Sequence, residues 1–209
     1  MPAVRQLGLF GAGSPDFDAT FSGLRRTGLA GGAWIDLAPA WVTGQDALFD
    51  ALEASTSWRT DRRWMVERMV DTPRLIASLP GDGPGHPLLD RMSAALAARY
   101  GETFCRITLA LYRGGQDSVA FHGDTVARDM DEALVATVSL GARRRFLLRP
   151  AQSGDGGSGH GSSISLSLGG GDLLVMGGSC QRTWRHSIPK VSAAGPRIAV
   201  MFRPLWYPG

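Results

Sequence analysis

From Phe104 onward the hydrophobic pattern of this chain changes period, and that change excludes most architectures. Ile107, Leu109 and Leu111 alternate with Thr108, Ala110 and Tyr112, the two-residue repeat of a half-buried strand. Further short strand-like runs follow at 134–140, 144–148, 163–168, 172–176, 183–188 and 197–202, separated by glycine-rich turns. Many short strands punctuated in this way predict a double-sheet jelly roll, which covers most of its own edges. The chain's 28 glycines and 12 prolines supply the turns such a fold needs.

The first half of the chain reads differently. Ala47, Leu48, Ala51 and Leu52 recur at helical spacing and predict a helix over 44–56. Leu88, Leu89, Met92, Leu96 and Ala97 do the same for 86–100. The expected class is therefore α+β and mostly β: a double-stranded β-helix buttressed by N-terminal helices. Residues 1–32 are glycine-rich and weakly patterned, and are expected to form a loosely held arm. Residues 33–103 form an extension with the helices and a basic, aromatic segment at 58–79 expected to be a hairpin or lid. Residues 104–207 form the jelly-roll core, and the whole makes one domain, as a length of 209 residues suits. The Gly/Ser stretch at 153–163 is expected to be a hairpin tip.

The chemistry lies in the second half. His122-Gly123-Asp124 places an imidazole and a carboxylate two residues apart, on one face of a strand. His186 supplies a second imidazole. Two histidines and one carboxylate are the facial set that holds non-haem Fe(II) and leaves the opposite positions open. Directly after comes the strand Arg197-Ile198-Ala199-Val200-Met201-Phe202-Arg203. Its alternation sends both guanidinium groups to one face, separated by about 20 Å of strand. Two long side chains leaning toward each other can clamp a short dicarboxylate. A five-carbon 2-oxo diacid fits, and its 2-oxo end can chelate the iron.

These stretches, with Leu109-Ala110-Leu111-Tyr112-Arg113, Ser139-Leu140-Gly141-Ala142-Arg143, Gly171-Asp172-Leu173 and Gln181-Arg182-Thr183-Trp184-Arg185, follow one another over residues 104–204. In that order and spacing they resemble the AlkB family of Fe(II)/2-oxoglutarate-dependent dioxygenases, in its bacterial branch for repair of alkylated nucleic acid. The resemblance implies that His122, Asp124 and His186 ligate Fe(II). Arg197, helped by the Tyr112 hydroxyl, would pair with the distal carboxylate of 2-oxoglutarate, and Arg203 would sit near its iron end. It further implies O2 as co-reactant and oxidative removal of alkyl groups from N-alkylated bases of the 1-methyladenine or 3-methylcytosine type. The chain departs from the family pattern at Ala110 and Ala199, where Asn is usual, at Met201, where Thr is frequent, and at Val126, where many members carry an acid.

An enzyme acting on a base must take it out of the stack and hold it between flat or apolar groups. Trp58, Arg63 and Trp64, in the region where the family carries its lid, are the candidate substrate contacts. Arg62-Arg63, Arg143-Arg144-Arg145 and Arg182 with Arg185 are expected to converge as a phosphate-contacting rim, and a net charge of +3 is compatible with nucleic acid. The expected partner is alkylated DNA or RNA, single-stranded, bound by a monomer engaged in DNA repair. No apolar run approaches membrane-spanning length, and two cysteines are too few for a disulfide framework, so the cytoplasm is the expected location. The residues alone leave two alternatives: the same iron chemistry on a small molecule or protein, or a non-catalytic jelly-roll binding module.

Overall fold

The computed structural model describes residues 13–65, 68–123, 130–151 and 163–204, and for 61–71 describes no side chains. Fourteen strands and three α-helices are present among these residues. Eight strands form one large antiparallel sheet: β2 (Arg25–Gly28), β3 (Ala33–Ala38), β12 (Leu173–Gly178), β9 (Val135–Gly141), β14 (Arg197–Pro204), β7 (Phe104–Tyr112), β6 (Arg68–Leu79) and β5 (Arg59–Met65), in that spatial order. Four strands, β11 (Ile164–Leu168), β10 (Arg144–Pro150), β13 (Trp184–Ile188) and β8 (Val119–His122), form the facing sheet. This is the expected jelly roll, with β5 and β6 forming the expected hairpin at the end of the large sheet.

Alternation along the central strands separates two cores. Ile198, Val200 and Phe202 of β14 and Leu109 and Leu111 of β7 pack beneath helix α1 (Gln45–Ser55) and helix α2 (Pro87–Tyr100), with Leu48, Leu52, Leu89, Met92 and Leu96. The alternate residues, Ala199, Ala110 and Tyr112, face the four-stranded sheet and meet Phe146, Leu148, Trp184 and Ile188. The helices thus occupy the outer face of the large sheet, and its inner face is left to build a site. Helix α2 begins where the His86 ring accepts from the Leu88 amide at 3.1 Å, with Pro87 in the first turn. It ends at Gly101 in the left-handed region.

The structure differs from expectation at the N-terminal segment. Residues 13–32 are not a loose arm: β1 (Asp16–Phe17) pairs with β4 (Val42–Thr43), and β2 pairs with β3. The segment lacks apolar periodicity because other forces hold it. The Asp18 carboxylate accepts from the amides and hydroxyls of Thr20 and Ser22, and these bonds hold its carboxyl well below the usual range. The Trp41 indole donates to the Asp18 carbonyl at 2.7 Å and packs between Phe17 and Phe21. Residues 1–12 and the Gly/Ser stretch at 152–162 lie outside the described residues.

Candidate metal and cosubstrate site

A cavity of about 200 Å³ lies between the two sheets. His122 and His186 reach it from β8 and β13, where they are direct cross-strand partners, with ring centroids 4.3 Å apart. Their positions are fixed from behind. His122 Nδ1 lies 2.9 Å from the Ala120 carbonyl oxygen, a contact in which Nδ1 carries the proton, so the Nε2 lone pair is available to a metal. The Phe146 ring stacks on His186 at 5.5 Å and 10°. Asp124, the expected third ligand, lies outside the described residues, and no cluster of three metal-binding side chains occurs among those described. Two oriented imidazoles followed by a carboxylate two residues on match the donor set of a facial Fe(II) site.

Gly123 lets this arrangement close. A Cβ there would stand 2.6 Å from the Gln181 carbonyl oxygen and 2.8 Å from an Arg185 guanidinium nitrogen. Gln181 belongs to the short helix α3 (Cys180–Thr183) that leads into β13. The glycine between the two candidate ligands therefore allows β8 to approach β13 at the histidine pair.

The other wall carries positive charge. Arg197, Ala199, Met201 and Arg203 all line the cavity, as the β14 alternation predicts. Arg197 is 1% exposed. Its Nε donates to Ser139 Oγ at 2.9 Å, yet one of its terminal nitrogens is buried with no partner. Burial, helped by the nearby Arg144 charge and opposed by Tyr112, lowers its pKa to about 10. A buried guanidinium with an open donor fits the carboxylate of a small acid. Arg203 is held at the cavity wall by a 2.6 Å bond to Thr108 Oγ1.

Tyr112 stands directly opposite Arg197 across β7 and β14 and also takes a bond from Arg74, whose Nη1 donates to the tyrosine hydroxyl at 3.3 Å. Sequence reasoning missed Arg74, which is buried and lines the cavity. The β5–β6 register slips between Thr60 and Asp61, placing Pro73 and Arg74 in a bulge, a device that re-aims a side chain. The signal was present: Arg74, Ile76 and Ser78 share a two-residue period and all reach the cavity. Phe146 and Thr108 were missed for a plainer reason, since each acts by touching a residue distant in sequence.

Other expectations are placed elsewhere. Trp58 does not line the cavity; its indole donates to the Glu53 carbonyl at 3.1 Å and its ring packs against the core beneath the helices. Its aromatic surface is used to seat the base of the hairpin on α1. The side chains of Arg62, Arg63 and Trp64 lie outside the described residues, as does Val126. Arg144 is no rim residue: it is 2% exposed and donates to the carbonyls of Gly114, Asp117 and Pro189. Arg143 turns to the Ser167 carbonyl. Trp184 is a buried wall between the sheets, bonded to the Ala30 carbonyl, and is not a lining residue. Cys180 is buried, which pushes its thiol up to about 12 and makes it inert.

Comparison with known proteins agrees with this geometry. A family model described as the 2OG-Fe(II) oxygenase superfamily matches residues 84–203. The chain is 26% identical over 200 residues to the alpha-ketoglutarate-dependent dioxygenase alkB homolog 3 of Bos taurus, covering 88% of this chain and 68% of that protein. It is 34% identical over 134 residues to the DNA oxidative demethylase ALKBH2 of Arabidopsis thaliana, covering 56% of this chain and 43% of that one. The chain thus spans about two thirds of one relative's length and under half of the other's. Among solved structures, that of OsALKBH1 superposes with a TM-score of 0.55 at 12% identity, covering 87% of this chain and 99% of that one. A prolyl hydroxylase from Trichoplax adhaerens gives 0.54 at 12% identity, over 78% and 77% of the two chains. Those two likenesses establish a shared fold. On the match of the family model and of these relatives, the chain belongs to the 2OG-Fe(II) oxygenase superfamily and, within it, to the AlkB family.

Proposed function

We propose that this protein removes alkyl groups oxidatively from N-alkylated bases of nucleic acid, using Fe(II), 2-oxoglutarate and O2. The observation that carries the reading is a pair of oriented histidines and a buried, partly unpartnered Arg197 on the walls of one cavity. The named activity of the relatives, DNA oxidative demethylase among them, supports the choice of substrate. In this reading His122, Asp124 and His186 hold the metal. Arg197 and Tyr112 take the distal carboxylate of 2-oxoglutarate, and Arg203 stands nearer the metal end.

Bound together, the cofactor, the diacid and O2 supply an oxidant able to hydroxylate an N-alkyl carbon, with 2-oxoglutarate leaving as succinate and carbon dioxide. The chain's own residues hold and orient. Arg197 neutralises the distal carboxylate, and its burial, at 1% exposure, makes that attraction strong. Arg74 donates to the Tyr112 oxygen, which leaves the phenolic proton directed to an acceptor in the cavity. Met176, Val135 and Ile188 keep the remaining wall apolar. A hydroxyalkyl nitrogen adduct releases an aldehyde without further catalysis, so the site needs no separate acid for that step.

Single-stranded DNA or RNA, a monomeric state, contacts from Arg63 and Trp64 on the β5–β6 hairpin, and a cytoplasmic location belong to the same proposal. Two free cysteines and the lack, among the described residues, of any helix long and apolar enough to cross a membrane are compatible with it. The test is mass spectrometry of a single-stranded oligonucleotide carrying 1-methyladenine, incubated with protein, Fe(II), 2-oxoglutarate and ascorbate, with succinate followed in parallel. Loss of the methyl group with matching succinate is expected. Succinate without demethylation would move the chemistry to another substrate, and neither product would mark a non-catalytic module.

A further inference from the structure

The outward face of the four-stranded sheet carries a basic strip that the cavity does not use. Phe146 and His186 face the cavity, so Arg145, Arg149 and Arg185, which alternate with them on β10 and β13, stand on the opposite side. Arg149 and Arg185 are direct cross-strand partners. The strands β8, β10, β11 and β13 themselves contain no Asp or Glu, and the Arg185 guanidinium donates to the carbonyls of Gln181, Arg182 and Trp184.

The geometry is prepared for oxyanions. Arg149 lies over the Phe121 ring, its guanidinium carbon 3.9 Å from the centroid. Stacking uses the face of the guanidinium and leaves its edge, which bears the donors, for phosphate oxygens. Exposed Ser167 stands opposite Arg145, with exposed Ser165 two residues along, adding short donors of the kind that contact phosphates. The strip also adjoins the site: Phe121 precedes His122, Arg185 precedes His186, and Arg185 packs against Gly123.

We propose that this strip binds the sugar–phosphate backbone of a single nucleic-acid strand, holding nucleotides that flank the one whose base enters the cavity. The inference rests on the nucleic-acid reading above and adds a surface to it. It is tested by fluorescence anisotropy of an unmodified single-stranded oligonucleotide with the full chain across a salt series, comparing wild type with Arg145→Gln/Arg149→Gln. The double variant is expected to bind at least about tenfold more weakly at low salt. Its plot of log affinity against log salt should be shallower by about 1.4, or about 0.7 for each phosphate that is no longer neutralised. Arg149→Lys, which keeps the charge, should retain most of the slope. Melting curves and retained 2-oxoglutarate affinity confirm that the variants are folded. A wild type that binds with variants that bind identically would overturn the strip and leave the dealkylation reading standing. A wild type that binds no oligonucleotide would overturn both. Competition by inorganic phosphate beyond its ionic strength would mark a free-anion site and overturn the strand assignment.

Discussion

Ala199 on β14 stands directly opposite Ala110 on β7, two residues along the strands from the Arg197–Tyr112 pair and on the same face. Two methyl groups thus face each other where the family pattern places two asparagines, and Ala199 lines the cavity. A diacid bound as proposed would be held at its ends by guanidinium groups, with methyl groups in place of amide partners along this part of the wall. Ala199→Asn should restore one hydrogen bond, worth about 1 kcal/mol, and tighten 2-oxoglutarate binding about fivefold. Calorimetric titration checks this against Ala199→Val, which adds bulk without a donor. Equal gains from both variants would show that filling space matters and polar contact does not.

The nearly parallel stack of Phe146 on His186 makes a second prediction. The ring limits rotation of a candidate metal ligand, and groups that orient ligands commonly change metal affinity by 10–100-fold. Phe146→Ala should weaken Fe(II) binding by about tenfold or more, measured by anaerobic titration. Phe146→Tyr, which preserves the stacked face, should change it far less. If the alanine variant binds metal as tightly as wild type, the stack has no part in orienting His186.

Burial of Arg197 gives a pH dependence with a definite sign. Desolvation lowers its pKa from the ordinary arginine range to about 10, so the guanidinium is charged at neutral pH and begins to lose its proton near pH 10. A diacid that requires the charged form should bind with constant affinity from neutral pH to about 10, then more weakly by about tenfold per further unit. The stability contribution runs the other way. From about pH 10 up to the ordinary arginine range the unfolded chain holds the proton more strongly than the folded one, so this group's contribution to stability rises with pH in that window. At neutral pH its burial opposes folding, and 2-oxoglutarate should raise the melting temperature by supplying the missing partner. Diacid affinity that stays level beyond pH 11 would show that the charge on Arg197 is not what binds it.

Much of this site was legible because strand alternation is a strong signal. Arg197, Ala199, Met201 and Arg203 share a face by spacing alone, and the structure puts all four on one cavity wall. What sequence did not reveal depends on interactions with no local pattern. Arg143, Arg144 and Arg145 look alike in a row, yet strand geometry buries the middle one against three carbonyls. The β1 and β2 segments have no apolar period because aromatic stacking and the Asp18 and Asp36 carboxylates hold them, the latter bonded to Arg26 at 2.7 and 2.8 Å. Arg74 shares the two-residue period of Ile76 and Ser78, but it is the pairing of β6 with β7 that turns this period toward the cavity. Trp58 failed for the opposite reason: an aromatic residue beside arginines is equally at home in a core, and here Glu53 and the helices claim it.

Gly123 offers the sharpest test of how the histidine pair is held. The oxygen that a new Cβ would meet at 2.6 Å is the main-chain carbonyl of Gln181, which cannot rotate away as a side chain would. Gly123→Ala must therefore push β8 from β13 at the point where His122 and His186 pair. Overpacking of this kind costs about 1–3 kcal/mol, or roughly 3–10 °C in melting temperature for a domain of this size. Metal affinity should fall as well, because the displaced strand carries the first candidate ligand. Gly114→Ala is the control: its Cβ would lie 3.6 Å from the nearest atom, the Ala194 carbonyl oxygen, an ordinary contact, and its melting should stay within about 2 °C of wild type, as surface changes within ±0.5 kcal/mol do. A Gly123→Ala protein that melts and binds metal like wild type would mean that β8 can shift without disturbing the pair, and that the close approach is not what fixes the site.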